Sequence, residues 1–532
     1  MRMFDGYFLV SKSVHRDLRW VSTDSQGILV KTRLSCLAIG LLAASAGASA
    51  SNVPKDFDLM SAEQTAQAIC EKKVSSESVV SYWLARIEAH PELNAFISLD
   101  PKRALGEARA ADARLAKGEQ CLSLGGVPIA IKDNIQVVGF TNTAGTPALA
   151  NFFPKANAPI IDRLQAAGAI VVGKTNMHEL AFGATGYNTA FHLPRLVGVR
   201  NAFDNSRIAG GSSSGSAAAL GARLIPIAMG TDTGGSSREP CALNGCVGFR
   251  PTVGRYSGVG ITPISTSRDT AGPMANTVGD VVLLDSILSG VSPLKPIPAH
   301  QIRLGIPDFF WADLEPEVSA QAKAAVEKLR SSGVEVVSVS MPGIGQLASA
   351  VATPVAIMEA RKALTDYLKS QSTGVSFETL AAKISSPDVQ GIFSAMVVPG
   401  NVPGPDGKMI PGGPAYAQAI KTGVPALLAL YQKTFADNKL DALLFPTVPE
   451  VAIKTGPDAG TPQKFGRIIR NTDPSSNVRM PGLSIPVGVG KESGLPVGME
   501  IDGLPGTDDQ LLAIGRTLES IWGPGPLSPI AR

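Results

Sequence analysis

Histidine is scarce in this chain of 532 residues: there are five, and none has an aspartate or glutamate partner recognisable by motif. That shortage argues against a serine–histidine hydrolase. His178, in Lys174-Thr175-Asn176-Met177-His178-Glu179, lacks the second histidine of a zinc-protease helix, and His192 has no stronger setting. Charge is also thin, at 17% of residues against 44% hydrophobic, so the chain can bury a large core. A net charge of +3 without any basic stripe argues against nucleic acid as a partner. There is no internal repeat, heptad run, Cys-x-x-Cys or zinc-ligand spacing. Glycine (55) and proline (39) are frequent but not periodic, which fits a loop-rich globular enzyme.

Cysteine is nearly as sparse. Cys70, Cys121, Cys241 and Cys246 are too few for the disulfide framework that small secreted domains need. Cys241 and Cys246 either pair or pack as small hydrophobes, and packing is the favoured expectation. The fifth, Cys36, belongs to a different kind of segment. Lys31 and Arg33 precede an apolar run over residues 34–46, followed by the small residues Ala48-Ser49-Ala50. The run is too short to span a bilayer comfortably, and the pattern predicts a secretory signal cleaved after Ala50. Cys36 precedes most of the apolar run, which speaks against lipid attachment. The long stretch before it fits a start near Leu29 or Val30. The expected location is periplasmic or secreted, with no membrane association after cleavage.

Two glycine loops stand out in what remains. The first reads Gly210-Gly211-Ser212-Ser213-Ser214-Gly215-Ser216 and runs into Ala217-Ala218-Ala219-Leu220; the second reads Gly230-Thr231-Asp232-Thr233-Gly234-Gly235-Ser236-Ser237-Arg238. Ser212 and Ser236 lie 24 residues apart, which a loop, a helix and a short strand can fill, returning the loops side by side. Consecutive N–H groups over Thr233, Gly234, Gly235 and Ser236 form a candidate oxyanion hole ending in a nucleophile. Flexible turns or a phosphate cradle would share that composition. A third segment, Gly125-Gly126-Val127-Pro128-Ile129-Ala130-Ile131-Lys132-Asp133-Asn134, ends an apolar strand in a lysine. Burial disfavours the charged amine, which makes Lys132 a candidate base. Lys174 repeats this strand-end placement. Gly211-Ser212-Ser213-Ser214-Gly215 also satisfies G-x-S-x-G, but only His300 lies downstream of it to complete a triad.

Together the three segments resemble the amidase signature family, whose members carry a Ser–cis-Ser–Lys triad. The resemblance continues through Gly248-Phe249-Arg250-Pro251-Thr252-Val253-Gly254-Arg255, Asp269-Thr270-Ala271-Gly272-Pro273, Phe445-Pro446-Thr447 and Gly482-Leu483-Ser484-Ile485-Pro486. It implies Ser236 as nucleophile, Ser212 as a bridging serine after a cis peptide bond, and Lys132 as base, with neither metal nor cofactor. Asp232 and Arg238 are expected to brace the nucleophile loop, with Ser213 beside them. Where the family often has an apolar residue this chain has Glu239, and Ser237 replaces Ile or Val.

Alternating short apolar strands and helices give α/β as the expected fold class over residues 51–532, and the resemblance implies a mixed central sheet with helices on both faces. A helical cover is expected from Asp56 to about Lys117, where Ser61 and Gln64 form a capping box and Val79, Val80, Trp83, Leu84 and Ile87 repeat at helical spacing. Strands are expected at 127–131 and 169–172, with a helix near 160–167. A less patterned insertion over about 343–430 is expected near the substrate pocket, and its Gly/Pro-rich run 399–414 reads as a wall or lid.

The activity implied is hydrolysis of an amide C–N bond through an acyl-enzyme, with the rate rising toward alkaline pH. Ile261-Thr262-Pro263-Ile264-Ser265 and Arg268-Asp269-Thr270 look most like the indoleacetamide and mandelamide hydrolase branch, favouring a small arylacetic-type primary amide. Peptide-terminal amides, anilides and esters fit the same triad. A subunit of an amidotransferase and a non-catalytic scaffold are the remaining readings, and the partner expected is a small-molecule amide, with room for a homodimer.

Overall fold

The computed structural model describes residues 56–194 and 196–531. The expected signal segment, residues 1–50, lies outside the described residues. The strands in chain order are β1 (Phe96–Leu99), β2 (Pro128–Lys132), β3 (Ile170–Thr175), β4 (Ile227–Asp232), β5 (Val247–Arg250), β6 (Thr270–Ala275) and β7 (Arg303–Pro307). They continue with β8 (Glu335–Val339), β9 (Asn401–Pro403), β10 (Met409–Pro411), β11 (Ala442–Pro446), β12 (Gly482–Val489) and β13 (Pro496–Asp502). Eleven of them form one sheet in the order β1-β3-β2-β4-β6-β5-β12-β13-β11-β7-β8, and β9 and β10 form a separate hairpin. The sheet is mixed, with β3, β2 and β4 parallel at one side, β11, β7 and β8 parallel at the other, and antiparallel pairs between.

Every residue of β2, β3 and β4 is buried. This is why these strands read as apolar runs without alternation: helices cover both faces of this part of the sheet. The main core joins Trp83, Ile129, Ile131, Met229 and Phe249 on one side. On the other, Ala130, Val172 and Ala228 pack under Ala217, Ala218 and Ala219 of the helix Ser214–Gly221. That helix has eight residues and lies fully buried, shorter than the three turns its span allows. Its alanines and glycines let it sit close to the sheet: a Cβ on Gly215 would collide with Asn176 main chain at 2.7 Å.

The N-terminal cover is largely helical, as the helices Ala62–Cys70, Ser76–Ala89 and Pro101–Ala116, and the Ser61/Gln64 capping box is present. One expectation fails there. β1 interrupts the helices and forms the sheet edge, antiparallel to β3 with Phe96 opposite Thr175. A four-residue strand, mostly half-buried, has too little pattern to declare itself without its partner. The region 343–430 is also far more regular than its sequence suggests. A helix of 27 residues, Ile344–Ser370, leads into the helices Phe377–Ala382 and Pro387–Ile392, and the Gly/Pro-rich run folds as the β9–β10 hairpin. Ile344–Ser370 packs into separate clusters on different sides, so no single apolar stripe marks it.

The favoured packing of Cys241 and Cys246 as free thiols is corrected: they are bonded, as are Cys70 and Cys121. The helix Arg238–Asn244 ends at Gly245 in the left-handed conformation, which turns the chain back and brings the Cα atoms of Cys241 and Cys246 to 4.6 Å. Cys70 and Cys121 join the end of the helix Ala62–Cys70 to the loop after Pro101–Ala116, across 51 residues of chain.

Candidate active site

β2 and β4 run parallel with Ile131 opposite Met229, so Lys132, at the carboxyl end of β2, arrives beside the glycine loop that follows β4. Lys132 is fully buried, and its Nζ lies 2.7 Å from Ser212 Oγ, 2.9 Å from Ser213 Oγ and 2.8 Å from Thr231 Oγ1. Burial lowers its pKa to about 7, against the upward pull chiefly of Asp232. A neutral amine has two donors and one lone pair. Ser213 donates its own hydroxyl proton to the Thr231 carbonyl at 3.1 Å, so it accepts from Lys132. Thr231 Oγ1 takes the second N–H, and the lone pair is left for the Ser212 hydroxyl. This arrangement suits a base drawing a proton through Ser212.

The Gly211–Ser212 peptide bond is cis, and Ser212 is fully buried. The two glycine loops are joined directly, because the Ser213 N–H donates to the Ser236 carbonyl at 3.2 Å. The His178 N–H donates to the Ser212 carbonyl at 3.3 Å. Ser213 cannot be an exposed elbow nucleophile, since its buried hydroxyl is committed to Thr231 and Lys132.

Ser236 is only partly buried and opens onto a cavity. Beneath its loop, the Asp232 carboxylate accepts from the Gly235 N–H at 2.8 Å, the Ser237 N–H at 3.2 Å, and Arg238 Nε at 3.0 Å. Burial pushes this carboxyl up, but Arg238 and Arg250 hold it well below the usual carboxylate range. Asp232 and Arg238 are thus paired beneath the loop. The candidate oxyanion hole is corrected at one position, because the Gly235 N–H points down to Asp232 and is already used. The N–H groups of Thr233, Gly234 and Ser236 have no partner among the described residues, leaving them to the cavity side.

The bracing extends beyond what motif reading assigns. Arg250 Nη1 bonds Asp232 at 2.9 Å, while Arg238 bonds Glu500 and the Thr472 carbonyl, all fully buried. Burial raises Glu500 and Asp502 against the pull of Arg238. Arg250 stands in a recognised motif, but nothing local to Glu500 signals a partner 262 residues earlier.

The cavity beside Ser236 has a volume of about 170 Å³. Some 150 Å³ suffices for a benzene ring. Its walls are apolar: Ile264, Ile357, Ile392, Met396, Phe465 and Ile469 face it, together with the loop 181–184. Thr233, Gly234 and the buried pair Arg268–Asp473 supply its polar edge. It leads into an outer vestibule of about 700 Å³ that shares Phe182, Met396 and Phe465. Ile264 and Arg268, both from the branch-like segments, thus line the pocket, and so does the region 343–430.

The remaining candidates are placed elsewhere. Lys174 turns to Asp133 at 3.4 Å and to Asn142 at 3.2 Å, away from the serines. The ring of His178 meets Asp388 at 3.1 Å on the vestibule wall, a partner no motif announces, and makes no bond to Ser212 or Ser236. No bond joins His192 to the serines among the described residues.

A family model described as Amidase matches residues 78–512. The chain is 55% identical over 455 residues to a mandelamide hydrolase of Pseudomonas putida, covering 86% of this chain and 90% of that protein. It is 41% identical over 469 residues to an indoleacetamide hydrolase of Agrobacterium vitis, covering 87% and 97%. Among solved structures, the native peptide amidase from Stenotrophomonas maltophilia superposes with a TM-score of 0.72 at 27% identity, covering 88% of this chain and 98% of that one.

Proposed function

Because the chain belongs to the amidase family, and is an enzyme that hydrolyses amide C–N bonds, we propose that it cleaves a small primary amide of an arylacetic-type acid, with Ser236 as nucleophile, Ser212 as bridge and Lys132 as base. The observation that carries this reading is Lys132, fully buried with its Nζ within hydrogen-bond reach of the Ser212, Ser213 and Thr231 hydroxyls and its pKa lowered by burial to about 7.

Lys132 takes the Ser212 hydroxyl proton as Ser212 takes that of Ser236, and Ser236 Oγ bonds to the amide carbonyl carbon. The N–H groups of Thr233, Gly234 and Ser236 face the oxyanion. The proton then returns from Lys132 through Ser212 to the leaving nitrogen as the C–N bond breaks, since an amide anion is too poor a leaving group to depart unprotonated. Ammonia leaves, and water repeats the relay on the acyl-enzyme to release the acid. The mandelamide and indoleacetamide hydrolases to which this chain is similar, and the apolar ring-sized cavity beside Ser236, support the aryl acyl group.

Periplasmic or extracellular placement is part of the same proposal. It is supported by the signal-like residues 31–50 and by two disulfides, which persist in oxidising compartments.

The test is ammonia release from mandelamide, phenylacetamide, indoleacetamide, acetamide and an amidated peptide, by the chain from Ser51 onward and by its Ser236→Ala variant. Release from the aryl amides that vanishes in the variant is expected. Undiminished release by Ser236→Ala would overturn the triad, and a preference for the amidated peptide would overturn the substrate class.

A further inference from the structure

Glu239 is fully buried in the first turn of the helix Arg238–Asn244. A buried carboxyl is costly, and this one is poorly compensated: Oε1 has no partner, and the single side-chain bond is from the Gly211 N–H to Oε2 at 2.8 Å. Gly211 precedes the cis-peptide Ser212. The Glu239 N–H meanwhile donates to the Gly235 carbonyl at 2.8 Å, just before Ser236. One residue thus holds both glycine loops, the nucleophile loop by its main chain and the bridging-serine loop by its carboxyl. The fit is close enough to exclude a side chain at Gly210, where a Cβ would come within 2.6 Å of Glu239 Oε1 on a backbone with φ of +76°.

We infer that Glu239 is a positioning residue for Ser212, its carboxyl fixing the Gly211 peptide so that the Ser212 hydroxyl stays between Lys132 and the nucleophile loop. The inference rests on Ser212 acting as the proton bridge. Burial also keeps this carboxyl neutral well above the usual range, and the charged groups bearing on it are Asp232, from the end of β4, and Lys132, from the end of β2.

Positioning and stabilising roles separate because they move stability and rate in different directions. Glu239→Leu removes both the burial cost and the Gly211 acceptor; Glu239→Gln keeps an acceptor. Expected for Glu239→Leu is a fall in kcat of about 10- to 100-fold, with KM within about threefold and Tm within about 5 °C of wild type. Glu239→Gln is expected to restore kcat to within about threefold of wild type and to leave the acid limb of the pH profile in place, since a neutral acid is exchanged for a neutral amide. The inference is overturned by a Leu variant with wild-type kcat, by a Leu variant that cannot be recovered folded, or by a Gln variant as impaired as Leu. Ser212→Ala, assayed alongside, isolates the premise. If it keeps full activity, the bridging role fails instead.

Discussion

Lys132 has its charged form disfavoured by burial, and its pKa of about 7 lies well below that of a solvated lysine. Only the neutral amine can accept a proton, so kcat/KM for amides is expected to climb about tenfold per pH unit below pH 6 and to level off above about pH 8. A profile flat from pH 5 to 9 under rate-limiting acylation would overturn lysine as the base. The same depression makes Lys132 a burden on the fold. Between the unfolded value near about 10.4 and the folded value near 7, the unfolded chain binds the extra proton, so stability falls as pH falls through that window. Lys132→Met is therefore expected to abolish activity and raise Tm, with the gain full below pH 7, shrinking steadily from pH 7 to 10 and gone above about pH 10; thermal melts across that range check it. At this scale the meeting of Lys132, Ser212 and the loop of Ser236 was legible because each sits in a contiguous motif. The direction of the Gly235 N–H was not legible, because it depends on where the Asp232 carboxylate folds back. Nor was the salt-bridged bed under the loop, because Glu500 and Asp502 reach Arg238 only across the finished sheet.

The pocket wall is a property of elements. Ala356 and Ile357 face the cavity from the helix Ile344–Ser370, and the segment after Pro387–Ile392 brings Met396 opposite them. Ala356 is half-buried and lines the cavity, so Ala356→Phe is expected to raise KM for phenylacetamide by about tenfold or more while leaving acetamide within about threefold. Steady-state kinetics on the two amides decides it, and an equal effect on both would place the acyl group elsewhere. β2, β3 and β4 were legible as elements because burial on both faces concentrates their apolar residues. The 27-residue helix was not, because it buries several faces at once and carries Pro354 internally.

Across the whole molecule, the covalent cross-links differ in reach. The Cys70–Cys121 bond closes a loop of 51 residues and Cys241–Cys246 one of 5. In the chain-entropy account these are worth about 4 and about 2 kcal/mol. Replacing Cys70 and Cys121 by serine is expected to lower the urea midpoint of unfolding more than replacing Cys241 and Cys246; the reverse order would mean that the short loop matters through the helix it closes. A layered α/β architecture was legible from alternating apolar runs and helical stretches and its mixed sheet from the family resemblance, but the strand order was not, since β12 and β13 come between β5 and β11 only in the folded sheet. That order has a further consequence. The proposed reacting groups come from residues 132–236, whereas most of the apolar cavity wall comes from residues 264–469, the loop 181–184 being the exception. Most of the wall and the proposed reacting groups thus lie in separate stretches of chain, so exchanging the 344–438 segment for a relative's would change the wall at Ile357, Ile392 and Met396 while leaving Lys132, Ser212 and Ser236 untouched.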